Sequence, residues 1–249
     1  MRVLVVTGAG VSAESGIATF RGREGYWRNL DPAKLATPEA FARDPELVWQ
    51  WYRERRERIR RAQPNAAHHA IAKLAGHADE FFLVTQNVDD LHARAGLPNE
   101  KMVQIHGDIF VTRCSGCDFS RRDHDYEHEH EYEYEYEYEY EYEQEAGIPR
   151  CSKCDALMRP GVVWFGEQLP WSEAQRVKNF LSRGACDVVI VAGTTATFGY
   201  IIDWALRASC GGELIEVNPE ETSLSRFATR LVRDSAAVAL PRLVDDLIK

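Results

Sequence analysis

The sequence has no apolar run approaching the roughly 20 residues that a membrane-spanning helix requires. Its first residues also lack the basic and then apolar segments of a secretion signal. From these absences we expect a soluble, cytoplasmic protein. Cysteine is scarce, with six among 249 residues. That length accommodates one full α/β domain with a buried core and a small appended module.

The chain has fewer basic than acidic residues, 30 against 39, and its net charge is −9. Residues 123–145 account for this balance, because they contain twelve acidic residues and no Lys or Arg. The rest of the chain has 30 basic residues against 27 acidic ones. This mildly basic remainder is compatible with an anionic ligand. It predicts no specific nucleic-acid partner and no membrane partner, and it leaves the oligomeric state open.

The stretch from Glu127 to Glu145 alternates Glu with His and then with Tyr for most of its length. A period of two fits a strand, yet ten glutamates at this density repel one another and resist packing. The composition favours a mobile loop or a frayed hairpin, and it leaves an ordered extension open. The stretch could bind a basic partner, and His124, His128 and His130 could hold a metal loosely. Solvated low complexity is the simpler interpretation, and we assign the stretch no catalytic role.

Short apolar runs rich in β-branched residues alternate with helix-like stretches. The runs predict buried strands at Val3–Val6, Phe81–Thr85, Met102–Ile105, Asp187–Ala192 and Leu214–Val217. Their alternation with helices predicts an α/β fold with a Rossmann-like, doubly wound parallel sheet.

Between the first two predicted strands, proline and helical patterns predict a small helical insertion long enough to wall a cleft. Its helices are expected at Pro38–Ala42, Glu46–Ala62 and Asn65–Ala75.

Four of the six cysteines form two Cys-x-x-Cys pairs. They are Cys114, Cys117, Cys151 and Cys154. Two such pairs are typical of a structural zinc ribbon, and four thiolate ligands leave no coordination position for water. The gap between the pairs is long, but the entropy cost of closing a loop grows only logarithmically with its length. The sequence therefore predicts one structural Zn²⁺, with Cys186 and Cys210 left as buried thiols.

These elements divide the chain into three expected parts. A Rossmann-like nucleotide-binding domain takes residues 1–30, 80–112 and 158–249. The helical insertion takes residues 31–79, and a four-cysteine zinc-ribbon lobe takes residues 113–157.

Glycines follow the first predicted strand directly, with Gly8 and Gly10 separated by Ala9. A strand that runs into glycines lets backbone N–H groups approach a pyrophosphate, which is how a doubly wound sheet holds a dinucleotide. The spacing departs from the common Gly-x-Gly-x-x-Gly, because position 13 is Ala and the third glycine is Gly16.

Two polar motifs follow later strands of the predicted sheet. The run Gln86-Asn87-Val88-Asp89 lies at a predicted carboxyl end, where an open α/β sheet usually binds its ligand. His106 ends the next strand, and an ordinary pKa near 6.5 suits an imidazole to take a proton at neutral pH. A lone histidine is more often structural, but this one accompanies the other motifs.

In this order the motifs, together with Phe20-Arg21 after the glycines, resemble the sirtuins, enzymes that consume NAD to remove acyl groups from lysine. The resemblance covers nearly the whole chain outside residues 123–145. It implies NAD as cosubstrate and acylated lysines of proteins as the partners.

The resemblance also implies which residues contact NAD. Arg21 would meet phosphate, Phe20 would shield the reactive ribose carbon, and Asp89 would recognise the nicotinamide carboxamide. The whole implied set is Gly8, Ala9, Gly10, Ser12, Phe20, Arg21, Gln86, Asn87, Val88, Asp89, Gly193, Thr194, Thr195, Asn218 and Ala236.

The catalytic residues implied in this way are His106 and Asn87. The acyl-lysine carbonyl oxygen would displace nicotinamide from NAD, and His106 would then activate the ribose hydroxyls as a base. Asn87 would help to orient ribose and water. The acyl group would leave as O-acyl-ADP-ribose, and zinc would take no part.

Tyr52 and Arg55 are three residues apart and share one face of a predicted helix. This Tyr-x-x-Arg resembles the sirtuin subgroup that prefers succinyl, malonyl or glutaryl lysine, and Ala36 matches the small residue that widens its acyl pocket. A guanidinium can pair bidentately with the distal carboxylate. The helix is rich in arginine, so a solvated face is the alternative. Further substrate contacts are expected at Phe165, Gly166 and Glu167.

Two segments depart from the family pattern. Ala18-Thr19 replaces the common Pro-Asp, and Ala196–Tyr200 lacks the usual Tyr-Pro or Gln-Pro, so the family's peptide contacts are not carried over to this loop. Three other functions remain open. The protein could be a plain deacetylase, an enzyme that hydrolyses NAD or transfers ADP-ribose, or a non-catalytic NAD-sensing scaffold.

Overall fold

The computed structural model of the chain describes residues 1–19, 31–122 and 147–249. The predicted contacts at Phe20 and Arg21, and the acidic stretch, lie outside these residues. The strands are β1 (Arg2–Thr7), β2 (Glu80–Thr85), β3 (Met102–Gln104), β4 (Gly107–Cys114), β5 (Ser120–Arg122), β6 (Met158–Val162), β7 (Val188–Ala192), β8 (Glu213–Val217) and β9 (Arg230–Val232). The helices are α1 (Pro32–Leu35), α2 (Pro38–Arg43), α3 (Pro45–Arg61), α4 (Ala66–His77), α5 (Leu91–Arg94), α6 (Trp171–Leu181), α7 (Gly199–Ala208) and α8 (Ala236–Leu247).

The main sheet has the order β3-β2-β1-β7-β8-β9, and each neighbouring pair is parallel. From β1 the chain builds the sheet outward in one direction, and from β7 it builds the sheet in the other. The loops that leave these two strands therefore diverge and open a crevice at the carboxyl edge, where doubly wound sheets bind ligands. The predicted Rossmann-like fold class is confirmed.

Helices cover both faces of this sheet. On one face α4 and α8 pack over β1, β2, β7 and β8 in a single apolar cluster. On the other face α6 and α7 pack in a second cluster. Strands buried on both faces need almost continuous apolar sequence, and Val3, Leu4, Val5 and Val6 of β1 are all completely buried.

The helical insertion between β1 and β2 starts its helices with well-defined caps. Thr37 and Asp44 accept backbone N–H bonds at the starts of α2 and α3, and each precedes a proline. Asn65 caps α4 in the same way and forms a reciprocal pair with His68. The aromatic face of α3 then packs against β4, β6 and the segment after β6. The insertion therefore forms a wall beside the carboxyl edge of the sheet.

A second, antiparallel sheet has the order β5-β4-β6 and leads into the cysteine lobe. The apolar-run pattern does not predict these strands, because β5 is exposed and β6 contains Pro160 and Gly161. Strand β4 extends across the predicted boundary at residue 112, β6 begins at the predicted boundary at residue 158, and the division into three parts stays a prediction. Among the described residues, no helix has the length and apolar character needed to cross a bilayer.

Candidate active site

The loops after β1 and β7 touch each other through glycines. The Gly10 N–H donates to the Gly193 carbonyl over 2.8 Å, and the Gly8 N–H donates to the Ala192 carbonyl over 3.0 Å. A Cβ on Gly10 would lie 2.8 Å from Gly193 Cα, and a Cβ on Gly8 would lie 2.7 Å from Thr194 Cβ. Glycine is therefore required here for close loop contact, and the two loops form one floor for the crevice.

Behind the glycine loop lies a buried polar cluster formed by Ser12, His68, Asn87 and Asp89, the Ser12 cluster. The Ser12 hydroxyl donates to Asp89 Oδ2 over 2.9 Å and accepts from Asn87 Nδ2 over 3.0 Å. His68 Nδ1 accepts the Asn65 backbone N–H, so its Nε2 carries the proton and faces Ser12 Oγ at 3.4 Å. This chain of bonds fixes the direction of the Ser12 hydroxyl and, through it, the Asp89 carboxyl.

Burial shifts the ionisation of this cluster. Desolvation raises the pKa of Asp89 to about 6, although hydrogen bonds from Ser12 and the Leu91 backbone act against the rise. Desolvation also lowers the pKa of His68 to about 4, so His68 is neutral at pH 7. A strongly perturbed carboxyl in a cleft is typical of a ligand-binding site.

The next side of the crevice links three strands through side chains. Gln86 Nε2 donates to Thr194 Oγ1 over 2.9 Å, and Asn218 Nδ2 donates to the Thr194 carbonyl over 3.0 Å. Residues after β2, β7 and β8 therefore meet at one edge, as the sequence predicts. Thr195 lies in the same loop, with its hydroxyl 3.3 Å from that of Thr197.

Ala9 and Ala236 also belong to the predicted contact set. Ala9 begins a short 3-10 helix in the glycine loop, and Ala236 begins α8. The Ala237 N–H donates to the Glu14 carboxylate over 3.3 Å, so the start of α8 adjoins this loop.

His106 lies at the carboxyl end of β3, with its side chain held by two hydrogen bonds. Its Nδ1 donates to the Gln86 carbonyl over 3.0 Å, which assigns the lone pair to Nε2. That Nε2 lies 2.6 Å from the Tyr200 hydroxyl, which donates to it. Burial lowers the pKa of His106 from its ordinary value. The imidazole is thus neutral at physiological pH, and its basic nitrogen faces the Tyr200 hydroxyl.

The residues predicted for the acyl pocket gather in the apolar cluster under α3. Tyr52 and Ala36 are buried there, and Val88 of the Gln86–Asp89 run packs against the same cluster. The Tyr52 hydroxyl accepts a bond from Trp164 Nε1 over 3.0 Å. Arg55 is half-buried, with its guanidinium 4.8 Å from the Trp51 ring centre and within electrostatic reach of Asp89. Burial lowers the pKa of Arg55, so this cation is partly desolvated.

The segment after β6 holds the other predicted substrate residues. Phe165 and Gly166 are exposed, and the Phe165 N–H donates to the Ala36 carbonyl over 2.9 Å. The Glu167 carboxylate instead receives both Arg159 Nη atoms, over 2.5 Å and 2.9 Å. This side chain anchors the segment, so a substrate contact at Glu167 would come from its backbone.

The four predicted zinc ligands converge. Their sulfur atoms all lie within 4.8 Å of one another, with the closest pairs 3.4 Å to 3.6 Å apart. A tetrahedral zinc with Zn–S bonds of about 2.3 Å requires edges of about 3.8 Å, close to these values. Backbone N–H groups of Gly116 and Lys153 donate to two of the sulfurs. The donor set therefore fits one closed structural zinc. Of the other two cysteines, Cys186 is buried as predicted, whereas Cys210 is exposed, so the prediction of a buried thiol there is wrong.

The sequence motifs do not include two side chains of the site, His68 and Tyr200. His68 has a signal in the sequence, because Asn65-x-x-His68 is a helix start in which both side chains bond to backbone. Tyr200 carries no signal, since it lies in the segment that departs from the family pattern.

The geometry can be compared with known proteins. A model of the Sir2 family matches residues 8–198. The NAD-dependent protein deacylase of Aquifex aeolicus is 42% identical over 248 residues, covering 99% of this chain and 95% of that protein. NAD-dependent protein deacylase 1 of Archaeoglobus fulgidus is 43% identical over 243 residues, covering 97% and 91%.

Solved structures give the same result. A Sir2 homologue in complex with NAD superposes with a TM-score of 0.84 at 42% identity, covering 99% of this chain and 89% of that one. A Sir2 protein with a p53 peptide and NAD⁺ superposes with a TM-score of 0.79 at 28% identity, covering 98% and 92%. The family model and the curated relatives span the glycine loop, the Ser12 cluster and His106, and the chain belongs to the Sir2 family.

Proposed function

We propose that this protein is an NAD-dependent protein-lysine deacylase that prefers succinyl, malonyl or glutaryl groups and yields nicotinamide and O-acyl-ADP-ribose. The single observation that carries the reaction is the position of His106. Its Nδ1 donates to the carbonyl of Gln86, whose side chain bonds to Thr194 beside the glycine floor, and this bond leaves Nε2 unprotonated. A non-catalytic NAD sensor needs affinity but no such base.

When bound, NAD would supply the anomeric carbon that the acyl oxygen attacks as nicotinamide leaves. Asp89 and Asn87, with their directions set by Ser12, would hold the nicotinamide end. His106 Nε2 receives a ribose hydroxyl proton, directly or through a neighbouring hydroxyl. The Nδ1 bond to the Gln86 carbonyl stabilises the imidazolium that results.

The acyl preference is supported by Arg55. Its guanidinium is partly desolvated, and the charges of Tyr52 and Asp89 oppose the fall in pKa that burial causes. A carboxylate at the end of an acyl tail would pair with the cation where water screens little. The bond from Trp164 uses an oxygen lone pair of Tyr52, so the phenol proton can donate to the same carboxylate.

The reaction and the preference are tested together on peptides that carry acetyl, succinyl, malonyl or glutaryl lysine, with NAD and mass detection of products. Arg55→Met should lower desuccinylation about 10²-fold, because truncating one partner of a desolvated ion pair costs a few kcal/mol. Deacetylation should change little. Arg58→Met is the matched control, since Arg58 lies on the same helix with its side chain exposed.

Equal losses on acetyl and succinyl peptides with Arg55→Met would refute the acidic-acyl preference. Nicotinamide release without acyl transfer would instead favour an NAD hydrolase, and NAD binding without nicotinamide release would favour a scaffold. We also propose a cytoplasmic location, supported by cysteines arranged for a metal in a chain whose described thiols are free.

A further inference from the structure

Tyr200 occupies the one atom of His106 that the reaction needs. Its hydroxyl lies 2.6 Å from Nε2, while Nδ1 donates to the Gln86 carbonyl over 3.0 Å. A neutral imidazole has a single in-plane lone pair, and here that lone pair already accepts the Tyr200 proton. A ribose hydroxyl therefore cannot bond to Nε2 as long as Tyr200 stays in place.

Packing holds the Tyr200 ring in this position. The ring stacks on Phe198 with centroids 5.5 Å apart and planes at 12°, and it contacts Trp204 at 5.1 Å. Tyr200 lies in the first turn of α7 and packs against the apolar cluster between that helix and the sheet. His106 is also restrained, because Phe198 contacts its ring edge-on at 5.6 Å and Gln86 holds Nδ1. Moving either ring aside would break several of these contacts.

A phenol that remains in place can accept one proton as it gives up another. Its oxygen has lone pairs available to a second hydroxyl group, and the Tyr200 residue is only partly buried. Desolvation raises the pKa of Tyr200, which keeps the phenol neutral and hence a donor to Nε2.

We propose that Tyr200 is a catalytic residue that relays the ribose proton to His106. The ribose O–H bond breaks as that proton joins the Tyr200 oxygen. The original Tyr200 O–H bond breaks in the same step, and its proton forms the Nε2–H bond of His106. The net change is one proton moved from ribose to imidazole, with Tyr200 restored as a neutral phenol. This relay rests on the proposed deacylase function and adds a residue to it.

The test uses Tyr200→Phe in the full-length enzyme, because the substitution removes one oxygen atom and keeps the ring that packs against Phe198 and Trp204. Two rates are compared with the wild type: turnover of an acyl-lysine peptide, and exchange of labelled nicotinamide into NAD in the presence of that peptide. Exchange reports the step before any ribose proton moves. Melting temperatures of both proteins check that the fold is unchanged.

The relay predicts that peptide turnover falls at least about 10-fold. The fall should approach about 10²-fold, which is the smallest loss typical when general acid–base assistance is removed. Nicotinamide exchange should stay within about 2-fold of the wild type, because exchange precedes the proton transfer that the relay assists. Turnover that is unchanged would overturn the relay, and so would faster turnover, which would mean that Tyr200 only obstructs His106. If the wild type itself neither exchanges nicotinamide nor deacylates the peptide, the proposed function fails, and that result is distinct from failure of the relay.

Discussion

The buried carboxyl of Asp89 lowers the free energy of unfolding of the protein at neutral pH. Its carboxyl is about 5% exposed and has a pKa of about 6, whereas an aspartate in an unfolded chain titrates near 3.9. The unfolded chain therefore releases this proton at lower pH than the folded protein does. As pH rises from about 4 to about 6, Asp89 lowers the free energy of unfolding, and the full cost persists above pH 6.

Asp89→Asn should remove that cost. We expect the free energy of unfolding at pH 7.5 to rise by about 1–3 kcal/mol relative to the wild type, and this gain to shrink as pH falls to 4.5. Denaturant titrations at both pH values measure it. Asp118→Asn, at a side chain that is 95% exposed, is the control and should change little. A gain of the same size at both pH values, or a loss at pH 7.5, would contradict the assigned ionisation.

At the scale of single residues, the sequence predicts a site residue only where that residue belongs to a complete motif. Asn87, Asp89 and His106 are recognisable because each follows a predicted strand, and parallel strands bring their carboxyl ends together. Tyr200 is not recognisable, because its role depends on the direction in which α7 leaves its loop. Glu167 likewise gives no sign in the sequence that Arg159 binds its carboxylate.

At the scale of elements, the contact between the loops after β1 and β7 holds the crevice together. Gly193 has φ of +62°, and a Cβ there would lie 2.5 Å from the Val11 backbone nitrogen and 2.7 Å from the Gly10 carbonyl carbon. These neighbours are backbone atoms, which have no alternative rotamer to adopt. Any side chain at this position must separate the two loops.

Gly193→Ala should therefore destabilise the protein by about 2–4 kcal/mol, combining an unfavourable positive φ with overpacking. NAD binding should weaken as well, and calorimetry with NAD measures this directly. Gly76→Ala is the matched control, since no atom lies within 4 Å of the new Cβ and the glycine is exposed in α4. It should raise stability by about 0.5–1 kcal/mol. Normal NAD affinity in Gly193→Ala would contradict this account of the crevice.

The main-sheet elements were largely predictable, and the small sheet was not. Strands buried on both faces leave long apolar runs, and the predicted runs match β1, β2, β3, β7 and β8 within a residue or so. The exposed β5, the proline-containing β6 and the three-residue β9 have no such run, because backbone pairing rather than burial defines them. Helices α2, α3 and α4 were predictable from their helical patterns and from the prolines near their starts.

At the scale of the whole molecule, the protein combines an α/β body with a lobe whose core is very small. The buried members of the lobe cluster are Cys114, Cys151 and Met158. So few buried side chains stabilise little structure alone, and small modules of this kind depend on their metal. The lobe is joined to the body through β4 and β6, and α3 packs on both strands.

We expect one zinc per chain and a structural role for it. Cys114→Ser should lower the zinc content and the melting temperature together, whereas Cys210→Ser, at an exposed cysteine outside the cluster, should change neither. Replacing zinc by Co²⁺ should leave turnover within about 2-fold, because four thiolates leave no position for substrate. Full zinc content in Cys114→Ser, or turnover that depends on the identity of the metal, would contradict a closed structural site.

The central claim is that His106 acts on the ribose of NAD after nicotinamide has left. The most direct test compares nicotinamide exchange and peptide deacylation in His106→Ala. Exchange should continue, because it precedes the proton transfer, while deacylation should fall by at least about 10². A folded His106→Ala protein that deacylates at the wild-type rate would contradict the account.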